Sequence, residues 1–164
     1  AGGVVALDAK TGARLWANEK VTGANDLLLW KEPAHMPSPR GPQAGDPEIP
    51  ARSILIASSG TTGMWALDPK NGRMLWRNPL PEGGVTAPVP VAGALLVGTT
   101  RYGLFLISPL NGKVIDSIDF GGGFAQTPAA AGIRAYAMTN AGTFLSIQID
   151  SPLARSGRSF GAPL

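Results

Sequence analysis

Cysteine is absent from this chain of 164 residues, and histidine occurs once. The lack of cysteine excludes disulfide bonds, thiolate zinc sites and thiol nucleophiles, and one histidine cannot build a metal site of several imidazoles. That residue, His35, lies among prolines with Glu32 as its nearest acid in the sequence, so we expect no catalytic role for it. We therefore expect neither a bound metal nor a cofactor, and no catalytic residue.

Charge is also sparse, since charged residues make up 15% of the chain and the net charge is +3. The Lys and Arg residues are scattered, without a run and without interleaved aromatics, which argues against nucleic-acid binding. The longest apolar stretch, around residues 89–97, is shorter than the roughly 18 residues needed to span a membrane. The acids fall at turns or strand ends, where a structural role is more common than an acid–base role.

What the sequence does contain is an internal repeat. Residues 6–16 read Ala-Leu-Asp-Ala-Lys-Thr-Gly-Ala-Arg-Leu-Trp, residues 66–76 read Ala-Leu-Asp-Pro-Lys-Asn-Gly-Arg-Met-Leu-Trp, and a weaker copy covers residues 106–116. Each copy predicts an apolar strand, a tight turn and a second strand. A single hairpin cannot bury its own hydrophobic face, so the copies must pack on one another.

The turn of each copy carries a polar residue at its start and a glycine near its end. Asp8 and Asp68 can accept hydrogen bonds from backbone N–H groups a residue or two ahead, while Gly12 and Gly72 supply a left-handed backbone conformation. The weaker copy keeps the second feature as Asn111-Gly112. These residues are therefore predicted to be structural.

A tryptophan ends the first two copies. Trp16 and Trp76 stand at the same place after the turn glycine, where a large flat side chain can wedge between neighbouring sheets. Asp116 occupies that place in the weaker copy. There the contact is either missing or supplied by another residue.

The spacing of the repeats predicts the fold class. The turn glycines Gly72 and Gly112 lie about 40 residues apart, and each interval holds about four short strands, which is typical of a propeller blade. We predict an all-β fold, a β-propeller built of four-stranded antiparallel blades, with little or no helix. Residues 1–150 would supply two strands of one blade, two whole blades and three strands of another. Because closed propellers have about four to eight blades, we expect about three to four blades of a larger propeller.

Two segments depart from the repeat. Residues 31–52 are rich in proline, which denies donors to a sheet, and are predicted to be an inserted loop. Residues 151–164 form a C-terminal tail without strand periodicity, which favours a disordered chain end. A docking segment anchored by Phe160 between Arg155 and Arg158 is the alternative.

The repeat resembles the pyrroloquinoline-quinone-type propeller repeat, with the pattern Ala-Leu-Asp-x-x-Thr-Gly-x-x-x-Trp. Residues 6–16 match this pattern fully, and residues 66–76 match it with Asn71 in place of Thr. Proteins with such repeats include quinone-dependent dehydrogenases, kinase sensor domains and scaffolds. The dehydrogenases also carry a vicinal cysteine pair and a calcium site, and this chain has no cysteine.

Within these propellers, the last two units resemble the C-terminal part of the BamB family, lipoproteins that help the outer-membrane β-barrel assembly machine. The similar stretches are residues 86–89, 96–98, 102–105, 111–114, 123–128 and 141–147. This resemblance implies a non-catalytic scaffold for protein–protein interaction, located in the periplasm or at the inner face of the outer membrane. Its partners would be preceding propeller blades or subunits of the assembly machine. The insert at 31–52 is a departure that could alter a partner surface.

The predicted contact residues lie in or beside turns and the insert. They are Trp30, Arg52, Arg101 and Tyr102, since aromatic and arginine side chains concentrate binding energy at interfaces. Contact with the membrane would be only indirect, through a lipid anchor outside this chain. Two alternatives remain open: a propeller domain of a dehydrogenase or sensor that binds a quinone or another small ligand on its axis, and an accessory structural subunit of a large assembly.

Overall fold

Thirteen β-strands form the regular structure of residues 2–32, 52–80 and 84–149, the part of the chain that the computed structural model describes. The first sheet has two strands, β1 (Val4–Leu7) and β2 (Arg14–Asn18). The second has four strands, β3 (Ala24–Lys31), β4 (Ser53–Ser59), β5 (Gly63–Leu67) and β6 (Met74–Asn78). The third also has four, β7 (Val89–Val91), β8 (Ala94–Gly98), β9 (Leu104–Ile107) and β10 (Val114–Ile118). The fourth has three, β11 (Ala129–Ala131), β12 (Arg134–Met138) and β13 (Phe144–Gln148).

Each sheet is an antiparallel meander in which the strands follow their order in the chain. The prediction of an all-β propeller with four-stranded antiparallel blades is confirmed, and the sequence-based division into two, four, four and three strands agrees with the sheets observed. Within the described ranges there is no helix, and hence none long and apolar enough to cross a membrane.

The hydrophobic core lies in the seams where one sheet packs on the next. The first seam, between the first and second sheets, buries Val4, Val21, Ala57, Trp65 and Leu67. The second seam, between the second and third sheets, buries Trp30, Ile54, Ile56, Met64, Ala66, Trp76, Val85, Leu95, Val97 and Ile107. The third seam, between the third and fourth sheets, buries Val91, Leu96, Leu104, Phe124, Ala135, Ala137 and Ile149. No sheet has a core of its own, as expected of repeats that stabilise one another.

Burial follows the position of each strand in its sheet. The interior strands β5 and β8 are buried along their whole length, whereas β10, the last strand of the third sheet, is exposed throughout. The last strand of the second sheet, β6, therefore reaches the core through one large side chain, whereas β10 has no buried residue. This arrangement gives Trp76 its importance, since it is the buried residue of β6.

The proline-rich segment begins later than the sequence predicts. Lys31 still pairs with Ser53 in the ladder between β3 and β4, and the backbone N–H of Glu32 donates to the carbonyl of Arg52 over 2.8 Å. Lys31 therefore belongs to the sheet. Residues 33–51, with His35, and the predicted tail at 151–164 lie outside the described residues.

Candidate functional site

In each of the first three sheets, the turn between the last two strands is built by short polar side chains. The Asp8 carboxylate accepts hydrogen bonds from the backbone N–H groups of Lys10 at 3.0 Å and Thr11 at 2.8 Å. Asp68 accepts one from the backbone of Lys70 at 2.8 Å. In all three copies the glycine has a positive φ, +70° at Gly12 and Gly72 and +71° at Gly112, a conformation that other residues rarely adopt.

Hydrogen bonding lowers the pKa of Asp8 below its ordinary value of 3.8, and the backbone N–H of Thr11 is the main cause, followed by the Thr11 hydroxyl. Because this pKa is lower in the folded chain, the carboxylate contributes stability above its unfolded-state pKa, and that contribution is lost as the pH falls through the folded-state pKa. Thr11→Val removes the hydroxyl donor and should raise the pKa of Asp8 part of the way to 3.8. Carboxyl NMR titration measures this, and an unchanged pKa would contradict it.

The turns of the second and third sheets each receive a tryptophan from the preceding sheet. The indole Nε1–H of Trp16 donates to the carbonyl of Pro69 over 3.0 Å, and that of Trp76 donates to the carbonyl of Pro109 over 2.8 Å. The rings also lie directly on the turn glycines, since a Cβ atom added at Gly72 would overlap the ring of Trp16. The tryptophans thus join the outer edges of consecutive sheets.

An asparagine completes this contact, which sequence reasoning missed. The side-chain amide of Asn18 donates to the carbonyl of Gly72 over 2.8 Å, and that of Asn78 donates to the carbonyl of Gly112 over 2.7 Å. The signal was available, because an asparagine follows two residues after the tryptophan in both strong copies of the repeat. We call this arrangement of tryptophan, asparagine and facing turn glycine the seam contact.

The third seam has no such tryptophan. Asp116 pairs with Leu106 at the same ladder position at which Trp76 pairs with Ala66, and each pair lies beside a break in register. A cavity of about 300 Å³ lies between the third and fourth sheets, and Asp116 is part of its lining. Its wall includes Ile147 and Ile149 of the fourth sheet.

The predicted contact residues do not form one surface. Trp30, predicted as a contact residue, is only 4% exposed and packs in the second seam, so the structure does not present it to a partner. The reason is the alternation along β3, which turns Leu28 and Trp30 towards the core and leaves Leu27 and Leu29 exposed. Arg52 is exposed where β4 begins, at the end of the second sheet from which the proline-rich segment departs.

Arg101 and Tyr102 lie in the turn between β8 and β9, at the opposite end of the sheets from Arg52. Both are exposed, and the backbone N–H of Tyr102 donates to the Thr99 hydroxyl, which holds the turn. Arg77 is exposed at this same end of the second sheet, with its guanidinium 4.8 Å from the ring of Trp65 and its Nε–H donating to the carbonyl of Thr62. We call Arg77, Arg101 and Tyr102 the turn face.

The described residues do not form a cluster of metal ligands. Among them, no three His, Asp or Glu side chains come together in a group that could hold one. A second, smaller cavity of about 210 Å³ lies at the end of the sheets near the proline-rich segment, and Leu29, Lys31 and Pro90 are part of its lining. It brings together no acid and base that would point to catalysis.

Comparison with known proteins decides the family. The sequence model described as outer membrane protein assembly factor BamB matches residues 1–114 and, in a second overlapping match, residues 65–152. This chain belongs to the BamB family. It is 24% identical over 127 residues to the outer membrane protein assembly factor BamB of Legionella pneumophila (strain Paris), covering 77% of this chain and 31% of that protein.

A second relative of this BamB-family chain is an enzyme by name. The tetrathionate hydrolase of Acidithiobacillus ferrooxidans is 29% identical over 141 residues, which cover 82% of this chain and 25% of that protein. The chain therefore spans about a third or less of the length of these two relatives.

Solved structures agree on the fold. BamB from Moraxella catarrhalis superposes with a TM-score of 0.65 at 19% identity, covering 96% of this chain and 42% of that one. The computationally designed Ika4 protein superposes with a TM-score of 0.62 at 12% identity, covering 91% of this chain and 81% of that one. At these identities the likeness shows the propeller architecture alone.

Proposed function

We propose that this BamB-family chain is part of a non-catalytic scaffold that supports outer-membrane protein assembly in a bacterial envelope. The observation that carries the proposal is the family match, which extends over residues 1–114 and 65–152. The fold supports the proposal, because the tryptophans and turn residues that recur in the described repeats join one sheet to the next. The chain's partners are then other proteins, namely further blades and subunits of the assembly machinery.

The turn face is the contact surface we propose for such a partner. Tyr102 is 43% exposed on a turn held by the Thr99 hydroxyl, so its ring is presented without a large loss of loop entropy on binding. Arg101 stands beside it, and Arg77 is held over Trp65 at the same end of the neighbouring sheet. Tyrosine and arginine are the residues that most often dominate the binding energy of an interface.

A photo-crosslinking amino acid in place of Tyr102 tests the surface in cells that make this protein. We expect crosslinks to a subunit of the outer-membrane assembly machinery, identified by mass spectrometry. Arg101→Ala in the same chain should reduce the crosslinked yield by about 30-fold, if Arg101 contributes about 2 kcal/mol as such residues do.

The matched control places the same crosslinker at Lys113, which is exposed on the turn between β9 and β10, at the other end of the third sheet. It should give none of these products. Equal yields from both positions, or products from Tyr102 that contain no envelope protein, would refute the turn face as the contact surface. Fractionation of the same cells tests the envelope location.

Tetrathionate hydrolysis is the second candidate, favoured by the 29% identity to the Acidithiobacillus ferrooxidans enzyme. We expect no turnover of tetrathionate by the purified chain, because, among the described residues, Asp116 is the only charged side chain that lines the larger cavity and Lys31 the only one that lines the smaller. Consumption of tetrathionate above the uncatalysed rate, followed by chromatography of the sulfur products, would replace the scaffold proposal with the enzymatic one.

A further inference from the structure

One end of the sheets collects most of the positive charge. It is the end where β3 stops and where the turns after β1, β5, β7, β9 and β11 lie. Lys31, Gly93 and Gly132, one from each of the last three sheets, line a common cavity there, and the seam contact aligns the first sheet with the second. Eight of the eleven Lys and Arg residues in the described ranges are exposed at this end, which we call the basic end.

Five of these cations lie on the turn before the last strand of a sheet, or on the first residue after it. They are Lys10, Arg14, Lys70, Arg73 and Lys113. The turns are fixed by their own hydrogen bonds: Lys10 and Lys70 donate their backbone N–H groups to the turn aspartates over 3.0 and 2.8 Å, and Lys113 donates its own to the side chain of Asn111. The cations are therefore presented on preformed turns, which lowers the entropy cost of binding.

The excess of positive charge is confined to the basic end. The other three cations there are Lys31, Arg52 and Arg134. The described acids of this end are Asp8, Glu32 and Asp68, so they offset only part of the charge. The opposite end is balanced, with Lys20, Arg77 and Arg101 against Glu19, Asp26 and Asp119. The directions of the strands thus separate charges that are scattered along the sequence.

Exposed apolar side chains lie among the outer cations. Leu110 is 42% exposed and takes the turn position that Lys10 and Lys70 occupy in the other two copies. Met74 and Val114 each follow a cation directly, and they are 48% and 45% exposed. Binding to an anionic lipid surface grows with both the buried apolar area and the electrostatic attraction. Cations interspersed with apolar side chains therefore suit such a surface.

We propose that the basic end binds the anionic headgroups of a lipid bilayer. The cations stand on separate turns of several sheets, so a broad charged surface can reach them together, which one narrow acidic segment could not do. The proposal differs from the sequence-based expectation of indirect membrane contact, because only the fold brings these cations together. It goes beyond the proposed function and does not depend on it. The turn face lies at the opposite end and stays free for a protein partner.

Co-sedimentation of the full chain with lipid vesicles tests this proposal. Vesicles of equal parts phosphatidylglycerol and phosphatidylcholine should bind the chain, whereas vesicles of phosphatidylcholine alone should not. Added salt should weaken the binding, because it screens exposed charges. The triple variant K10A/K70A/K113A should bind the anionic vesicles roughly 100-fold more weakly, at about 5-fold for each charge. K10R/K70R/K113R keeps the charges and should bind as the parent does.

Two lysines at opposite ends provide a matched pair. Lys70 and Lys20 are both exposed, and both use their backbone N–H groups within a turn. K70A should weaken vesicle binding by about 5-fold, whereas K20A should leave it unchanged. Equal losses in the two variants would mean that net charge alone governs the binding, and would overturn the proposal. Absence of binding to the anionic vesicles at low salt would do the same.

Leu110 distinguishes a lipid surface from any other polyanion. L110S should weaken binding to the anionic vesicles by about 5-fold, because the leucine side chain leaves water when it enters the lipid boundary. A polyglutamate peptide serves as the comparison ligand. If the chain binds this peptide as tightly as the vesicles, and L110S binds the vesicles as the parent does, the basic end is assigned to an acidic protein segment and the lipid proposal is refuted.

Discussion

Trp76→Ala is expected to lower the free energy of unfolding by about 3–5 kcal/mol, the range for removing a large aromatic side chain from a core. Trp76 is 8% exposed, lies in the second seam and fastens the end of β6 to the facing turn through the carbonyl of Pro109. Its loss leaves a cavity between two complete four-stranded sheets. Urea unfolding followed by circular dichroism measures the change.

Two variants show which part of the contact matters. Trp76→Phe keeps an aromatic ring but loses the Nε1–H donor, and should cost only about 1–2 kcal/mol for the missing hydrogen bond and the smaller ring. Trp16→Ala should cost less than Trp76→Ala, because Trp16 is only partly buried and joins a two-stranded sheet. A Trp76→Ala variant as stable as Trp76→Phe would refute the importance of ring burial at this seam.

Gly72→Ala is expected to destabilise the chain by about 2–5 kcal/mol, combining a left-handed backbone penalty of about 1–2 kcal/mol with about 1–3 kcal/mol of steric strain. The added Cβ would overlap the ring of Trp16, which is held in place by its hydrogen bond to the carbonyl of Pro69. The ring and the turn must then separate. Unfolding curves of the two proteins give the difference in free energy.

The chain offers a matched control for this variant. Gly12 has the same φ of +70°, but a Cβ added there would meet no atom within 4 Å. Gly12→Ala should therefore show the backbone penalty alone, about 1–2 kcal/mol. Equal losses in the two variants would mean that the tryptophan adapts without cost, contrary to the seam contact described above.

The fold could be predicted from the sequence because each repeat forms its strands and turn through contacts between residues that are close in the chain. The aspartates and glycines of the turns act within a few residues of themselves, so Asp8 and Gly12 could be interpreted without knowledge of distant contacts. The role of Trp76 followed from the need of each hairpin to bury one face. Asn78 was missed, although its spacing from Trp76 repeats that of Asn18 from Trp16.

Features that depend on contacts between residues far apart in the chain could not be predicted from the sequence. Trp30 was expected at a contact surface because it borders the proline-rich segment, yet its position on β3 turns it into the second seam. The third-seam cavity arises from Asp116 and Ile147, which are far apart in the sequence and meet only when the sheets pack. Predicting that Arg52 and Arg101 lie at opposite ends of the sheets would likewise have required knowing the direction of each strand.

The seam contact has a direction, since the ring always comes from one sheet and the glycine from the sheet that follows it in the chain. If a whole four-stranded repeat were duplicated, the new sheet would form the same seam contact with the sheet before it and with the sheet after it. No new pair of complementary surfaces would be needed. At the junction between the third and fourth sheets this chain has Asp116 at the position of the ring, so that junction differs from the two before it. Gene duplication can lengthen such an array, whereas loss of a ring at an internal junction would have to be matched by a change in its neighbour.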